Sequence, residues 1–552
     1  MESSKLLGAE GEEHQLWNNL YEIFRANVEP NRSDPLVIFH GKHVSYYSLL
    51  SMVDSMAESL KSRLNISKGD SVAICLPLSP QFFITFLALQ KIGGVAIPLD
   101  PDIKTYELHN IMGLLKLKSV VCLNTTGLVI DQGQGIESVV LVRLQDFLPF
   151  EKSVAFTAKS LGKSASGISK ELNVFRFTDL IYEAKGEGTF IDPEKDISVG
   201  FISASRSGDL QAMFFTASNL LESASSISKA MPQAKGRFKI ASFLPPFLPA
   251  SFQFTVTLPI LLGGTVLTSV TREDYYMTFF TSSLYDCEYM LASPWDLSEI
   301  LEERIPNMAI KSLKGIITET YLLNRRIRQE IEKRYGTRVL EYYGVPEMLG
   351  VTHMQLIDRA KQKPGSPGIP IPNVQAKLLE EKSHREASPP AIGELYLKGP
   401  GLFTSLVPVL PDNSQYFLDG YFDSGDLASI DEGGLYHIEG RVREAITSHG
   451  IMVSSHEIEK VIEGVEGVKE VAVVGVTEET GNEYILAVVS SESEVDGLDS
   501  RIMQACRKSL SRFKVPRKIE FRKELPKSMS GKVLKMQIID EHRRQEANPT
   551  AK

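Results

Sequence analysis

The stretch from Tyr421 to Gly450, YFDSGDLASIDEGGLYHIEGRVREAITSHG, constrains the fold of this chain more than any other. Ser424-Gly425-Asp426 reads as a tight polar turn, in which the glycine lets the backbone bend and frees a carboxylate. Leu427 to Ile438 alternates apolar and polar residues across the breaker Asp431-Glu432-Gly433-Gly434, the pattern of a β-hairpin. Gly440-Arg441-Val442-Arg443-Glu444 then packs three charges beside a glycine, just before a second glycine-bearing turn at Gly450. A charged, glycine-flanked joint of this kind reads as a hinge, because hinges absorb φ/ψ change in a few residues. The expectation is a large domain over 1–441 and a small mobile domain over 442–552.

A chain of 552 residues is too long for one compact core, which agrees with at least two domains. Hydrophobic content of 43% and charged content of 23% are ordinary for a globular protein. The net charge of −9, with no basic face or tail, argues against a nucleic-acid or anionic-membrane binder. Cys75, Cys122, Cys287 and Cys506 form no CxxC pair and no metal spacing, so they read as reduced thiols. The acidic N-terminus is neither a secretory signal nor a transit peptide, and the chain does not end in Ser-Lys-Leu; the expected location is cytoplasmic. The longest uncharged run, Ile240 to Thr271, carries several prolines and Gly263-Gly264, which reads as buried strands and turns rather than a membrane span.

The N-terminal part alternates element types. Helical apolar spacing runs through Leu49, Leu50, Val53, Met56, Ala57 and Leu60; Ser71 to Leu76 reads as a buried strand; Gln81 to Lys91 is helical; Val95 to Asp100 is the next strand. A βαβ order implies a parallel sheet. Lys152 to Gly188, polar and rich in Ser, Lys and Gly, reads as a loop. Beyond Val442, a helix with Ile458, Val461 and Ile462, a strand at Val471 to Val476, another at Tyr484 to Ser490, a helix at Leu498 to Leu510 and a strand at Ile519 to Phe521 make a small α+β unit.

Taken together, the S-G-D turn, the hairpin, Gly440-Arg441-Val442-Arg443-Glu444 and the later Pro526-Lys527-Ser528-Met529-Ser530-Gly531-Lys532 resemble the acyl-adenylate-forming (AMP-binding) superfamily. The likeness is nearest to acyl-CoA synthetases of the 4-coumarate–CoA-ligase type. It covers roughly residues 20 to 545. The fold it implies is α/β: a large N-terminal domain of packed subdomains with mostly parallel sheets, and a small mobile α+β lid. The reaction it implies is two-step, with ATP, Mg²⁺ and CoA: a carboxylate becomes an acyl-adenylate, then a thioester.

The resemblance also implies site residues. Phosphate binding falls to Ser203, Ser205, Arg206, Ser207 and Gly208, where Gln211 stands in place of the family's lysine. Small residues there let backbone N–H groups close on phosphate oxygens. Glu341-Tyr342-Tyr343-Gly344-Val345-Pro346-Glu347 resembles Q-G-Y-G-M-T-E, placing Glu341, Tyr342, Tyr343 and Gly344 at the nucleotide and making Glu347 the catalytic Mg²⁺ ligand. Asp426 is the ribose partner and Arg441 a ribose or α-phosphate partner. Lys532 is the catalytic lysine, a flexible cation that neutralises charge on the carboxylate and α-phosphate. Leu248, Glu319, Thr320 and Tyr321 line the substrate pocket, with bulk that shrinks it; Arg443, Glu444, His449 and Gly450 belong to the hinge and CoA side.

Two functions of different class follow. One is an ATP-dependent acid–CoA ligase acting on a small or aromatic acid, whose partners are that carboxylate and CoA, with no nucleic acid and no membrane span. The other is a catalytically impaired pseudo-ligase that binds a small molecule or regulates a partner enzyme, because the phosphate-loop lysine, a pocket histidine and a motif threonine are replaced by Gln211, Leu248 and Pro346.

Overall fold

The computed structural model describes residues 19–131, 135–159, 165, 167–182, 186–204, 210–231, 237–242, 244–269, 275–302, 310, 312–320, 323–355, 362–380, 385–387, 389–408, 416–441, 446–449, 451–478, 483–491, 497–526 and 533–547. They form two compact units. One lies within Met1–Asp102, Met112–Ile202 and Ala212–Arg441; the other combines Ile103–Ile111, Ser203–Gln211 and Val442–Lys552.

The first unit is built on α/β layers whose helices announce themselves locally. The helix Pro80–Ile92 starts where Ser79 accepts a hydrogen bond from the Phe82 N–H and Pro80 occupies the first turn, and it stops at Gly93 with φ 76°. All its residues are buried, so it reads as apolar on every side. The strands on either side of it, Ser71–Cys75 and Val95–Pro98, pair in parallel, as the βαβ order predicts. They lie in an eight-stranded sheet that continues through Leu117–Leu123, Ser138–Val142 and Asn173–Arg176 on one side. The Asn173–Arg176 strand, with a helix at Phe150–Lys159, corrects the loop reading of Lys152 to Gly188. Its polar residues make an edge strand, exposed along most of its length, so it carries no apolar signature.

A second, nine-stranded sheet has a parallel centre, Pro35–Phe39, Thr265–Thr268, Lys239–Ser242, Tyr289–Leu291, Gly315–Glu319 and Arg338–Tyr343 in spatial order. The uncharged run between two of these strands is helical at its middle, Pro249–Phe252, a π turn at Gln253–Thr257 and Leu258–Leu262, not strands and turns throughout. Pro249 and Pro259 sit in first turns, where a missing N–H costs nothing.

An antiparallel sheet completes the unit. Its longest strand, Tyr421–Ile430, runs straight through Ser424-Gly425-Asp426, which is therefore a bulge in a strand rather than a turn. Gly425 takes φ 70°, and the register slips against the neighbouring strand Ala391–Lys398 between Glu394 and Tyr396. The expected hairpin is present: Ala428, Ser429 and Ile430 face Ile438, His437 and Tyr436.

The second unit holds Val468–Thr477, Glu483–Ser491 and Lys518–Arg522 as one sheet, with helices Ser455–Glu463, Leu498–Ser509 and Lys535–Ala547. Its half-buried Lys514 bridges Glu457 at 2.7 Å and Glu107 at 2.5 Å, which ties the 103–111 segment into the unit. Desolvation opposes the charge on Lys514, but the two carboxylates outweigh it and hold the ammonium's pKa above its ordinary value. No helix among the described residues is long and apolar enough to cross a membrane.

Candidate active site

Asp426 is the centre of the site in the first unit. It is 2% exposed, and its bulged strand aims the carboxylate inward. Oδ2 accepts the Tyr343 hydroxyl at 2.5 Å, while Oδ1 has no hydrogen-bond partner. A buried carboxylate oxygen without a donor is costly, which points to a ligand hydroxyl in that place. Across the hairpin the backbone of Arg441 pairs directly with that of Asp426. The sixteen residues from Asp426 to Arg441 thus close on themselves, by register, at one point of the sheet.

Tyr343 ends the strand Arg338–Tyr343, and its ring is buried. His353, on the next strand, lies 5.7 Å from the Tyr343 ring and 4.6 Å from the Tyr436 ring, centroid to centroid. Burial pushes the His353 pKa down to about 3, so the imidazole is neutral and acts as a packing wall behind Tyr343. Gly344 has no room for a Cβ: one there would stand 2.3 Å from the Gly350 carbonyl carbon. Glycine at 344 is therefore a packing requirement of the Gly344–Gly350 loop.

Glu341 lies beneath that surface, wholly buried. One carboxylate oxygen ion-pairs with the buried Arg328 and accepts the Gly365 N–H at 2.9 Å. Burial raises the Glu341 pKa, and Arg328 pulls it back. Gln355 donates to the carbonyls of Lys363 and Ser366 and accepts the Glu341 N–H. The pair therefore fastens the 363–366 loop to the strand that carries Tyr342 and Tyr343. Glu347 is 5% exposed in the short turn Pro346–Met348, whose position is held by the Phe403 N–H on the Glu347 carbonyl at 2.9 Å.

The Thr320 N–H donates to the Tyr342 carbonyl at 2.7 Å, and Glu319 is the register partner of Tyr342. Leu248 is half-buried at the start of the helix Pro249–Phe252. Sequence position and strand register thus bring Glu319, Thr320, Glu341, Tyr342, Tyr343, Gly344, Glu347, Asp426 and Arg441 into neighbouring strand ends and loops. Ser203 is a buried residue near the end of the strand Ile197–Ala204, in the second unit, and Gln211, 7% exposed, is in the strand Leu210–Thr216. His449 is exposed with φ 52°, at the turn of the Ile446–Ser448 and Ile451–Val453 hairpin. Ser205, Arg206, Ser207, Gly208, Tyr321, Arg443, Glu444, Gly450 and Lys532 lie outside the described residues.

Motif reading missed one feature. Lys104, Arg507, Arg512 and Arg517 line a cavity of about 540 Å³ in the second unit, with Met503, Leu510, Val515 and Pro516 and no acidic side chain. Arg517 also pairs with Glu478 at 2.5 Å. The basic residues around the short turn Arg512–Lys514 were the only sequence signal, because Lys104 comes from a distant segment. Four converging cations suit a polyanion, most simply a diphosphate.

Comparison with known proteins agrees with this architecture. Residues 24–406 match the family model described as AMP-binding enzyme, and residues 457–532 match the AMP-binding enzyme C-terminal domain. The chain belongs to the AMP-binding enzyme family. It is 25% identical over 520 residues to a long-chain-fatty-acid–CoA ligase of Bacillus subtilis (strain 168), covering 92% of this chain and 91% of the relative. It is 24% identical over 512 residues to an indoleacetate–CoA ligase of Aromatoleum aromaticum, covering 92% and 95%. Among solved structures, a double mutant of o-succinylbenzoate CoA synthetase from Bacillus subtilis, bound with a product analogue, superposes with TM-score 0.76 at 19% identity over 94% of this chain and 98% of that one. The amide bond synthetase of Marinactinospora thermotolerans gives TM-score 0.73 at 18% identity over 95% and 99%. At those identities the structural likeness speaks for the fold.

Proposed function

We propose that this chain is an ATP-dependent acid–thiol ligase that forms an acyl-adenylate and passes the acyl group to CoA. The observation that carries the reading is the buried Asp426 carboxylate, with one oxygen held by Tyr343 and the other unpartnered, opposite the Arg441 backbone. The free oxygen accepts a ribose hydroxyl, and Tyr343, backed by the buried His353, holds the other carboxylate oxygen in place. In the first step a substrate carboxylate oxygen attacks the α-phosphorus and pyrophosphate leaves. In the second, the CoA sulfur, giving up its proton, attacks the acyl carbon and AMP leaves. Lys532 holds the negative charge that builds between carboxylate and α-phosphate, so catalysis is positioning and charge stabilisation without an enzyme nucleophile. Glu347 fits a Mg²⁺ site that keeps most of its ligands on water and phosphate, where the ion would shield phosphate charge; one protein carboxylate suffices for that. The cationic cavity is the proposed seat of the CoA phosphates, which favours CoA over an uncharged amine as acceptor.

Two results test this. Asp426→Asn keeps the shape and the Tyr343 contact but weakens the acceptor; AMP affinity measured by calorimetry should fall roughly 10–150-fold, the range for a hydrogen bond to a charged group. Unchanged affinity removes Asp426 from the nucleotide site. Charge reversal of the cavity by Arg507→Glu with Arg512→Glu should raise the KM for CoA about tenfold or more in thioester formation, with pyrophosphate release from the first step unchanged.

The impaired-ligase reading is favoured by one observation: Gln211, where the family has its lysine, is a buried strand residue that offers only a neutral amide to a phosphate. In that case the protein binds a nucleotide or acid and acts through a partner enzyme. Ser205→Gly, Arg206→Thr and Gln211→Lys together should then tighten ATP more than AMP. If pyrophosphate release rises as well, the chain is a ligase held back by its loop; if ATP tightens and no acid is ever activated, the binding-protein reading stands.

A further inference from the structure

We propose that Tyr484 is an acylation site of the second unit, a phenol activated by His542 and Glu520 to take an acyl group from an activated ester or acyl phosphate. The inference stands apart from the ligase reading and concerns a cluster outside the site described above. His542 lies in the helix Lys535–Ala547, one turn beyond the fully buried Ile538, so helical spacing turns both side chains toward the sheet. On that sheet Tyr484, Leu486 and Val488 alternate onto one face of the strand Glu483–Ser491, and Glu520 joins them as the register partner of Val488. The imidazole bridges the two strands. Its Nδ1 stands 2.7 Å from a Glu520 carboxylate oxygen, and its Nε2 stands 3.0 Å from the Tyr484 hydroxyl. Hydroxyl, imidazole and carboxylate thus stand in the order of nucleophile, base and orienting group.

The partners assign the protons. Glu520 also accepts Arg522 Nε at 2.7 Å. Burial works against the charge on Glu520, but hydrogen bonds from Arg522 and His542 outweigh it and hold its pKa below the ordinary value. An ionised carboxylate keeps the imidazole proton on Nδ1, which leaves the Nε2 lone pair to the Tyr484 hydroxyl. His542 is 1% exposed, so bulk water does not compete for that lone pair, whereas Tyr484 is only half-buried and open to a small reagent. Arg517, itself paired with Glu478, stands over the Tyr484 ring at 5.3 Å, where its charge favours the phenolate that forms as the proton leaves. In the step itself the Tyr484 oxygen attacks the acyl carbonyl carbon and an ester bond forms. The bond from that carbon to the leaving oxygen breaks, and the leaving group departs with the electron pair. The phenolic proton passes to His542 Nε2 and from there to solvent. A histidine that merely pinned the helix to the sheet would leave this phenol no more reactive than an exposed one.

The test is p-nitrophenyl acetate, an uncharged activated ester, added to the full-length protein, with p-nitrophenol followed by absorbance and acetylated residues mapped by peptide mass. Tyr484 should take one acetyl group in a burst, about 10²-fold faster than Tyr182, although Tyr182 is 81% exposed. Tyr484→Phe should remove the burst. His542→Gln should slow acetylation of Tyr484 by about 10²-fold or more, the loss of a general base, with a thermal melt reporting the fold. If that variant fails to fold, Glu520→Gln carries the test: it keeps the imidazole but loosens its orientation, and should slow the same label by about tenfold or more. Acetylation of Tyr484 no faster than that of Tyr182 overturns the proposal. So does a folded His542→Gln or Glu520→Gln variant that labels Tyr484 at the parent's rate.

Discussion

Lys532→Ala should lower adenylate formation by about 10²–10³-fold, the cost of deleting one group that stabilises charge in a transition state. The lysine closes the motif Pro526-Lys527-Ser528-Met529-Ser530-Gly531-Lys532, and a lysine's ammonium group seldom belongs to a core. Its loss should therefore leave the melting temperature within a degree or two, consistent with a surface change. The two half-reactions separate the role. Pyrophosphate release from acid and ATP should collapse, while thioester formation from supplied acyl-adenylate should survive better, because the α-phosphate charge has already been dealt with. Equal adenylation by variant and parent would take Lys532 out of the mechanism.

Arg328→Met should cost about 3–5 kcal/mol of folding stability, the penalty for leaving a buried charge without its partner. Arg328 is 2% exposed and Glu341 is 0% exposed, so neither can turn to water. The pH dependence has a definite sign. The folded-state pKa of Glu341 is raised by burial, so its ionisation costs stability that accrues as pH rises above the ordinary carboxylate value and is complete above the raised one. Removing Arg328 withdraws the main influence that lowers it. The deficit measured by urea unfolding should be largest at alkaline pH and should shrink as the pH falls toward the ordinary carboxylate range, because the folded-state carboxyl, its pKa raised, protonates before the unfolded one. Adding Glu341→Gln should recover much of the loss at the higher pH, because a neutral amide needs no counter-charge. A deficit independent of pH would show that the lost contact is packing alone. Because the pair anchors the loop at Gly365 beneath Tyr342 and Tyr343, the single variant should also weaken nucleotide binding more than its stability at the assay temperature explains.

Elements with a local cause were legible in the chain. The helix Pro80–Ile92 carries its own start and stop in Ser79, Pro80 and Gly93, and the adjoining strands are short apolar runs; each was read within a residue or three. The hairpin at Asp431–Gly434 was legible for the same reason, since Gly434 supplies the positive φ its turn needs. Candidate site residues were legible only as a frame. Asp426, Tyr343 and Glu347 stand in motifs, and the motifs say which residue types lie near one another in sequence without saying which atoms remain unpaired.

Tertiary structure decided the rest, because the cause lies in a partner remote along the chain. Ser424-Gly425-Asp426 has the composition of a turn, yet pairing with Ala391–Lys398 makes it a bulge in a strand and buries the aspartate. The helical segments of Pro249–Leu262 carry prolines only in first turns, a placement that the uncharged run by itself does not distinguish from strands and turns. Cys75 and Cys122, far apart in sequence, face each other on parallel strands as buried free thiols. Lys104 joins Arg507, Arg512 and Arg517 around a cavity that no stretch of sequence displays. By itself the sequence determined which segments form helices and strands and which family motifs they carry, since propensity, capping and periodicity act over a few residues. Which carboxylate is left with a free oxygen and which charge is buried against which were settled by long-range strand register and packing, which no local signal encodes.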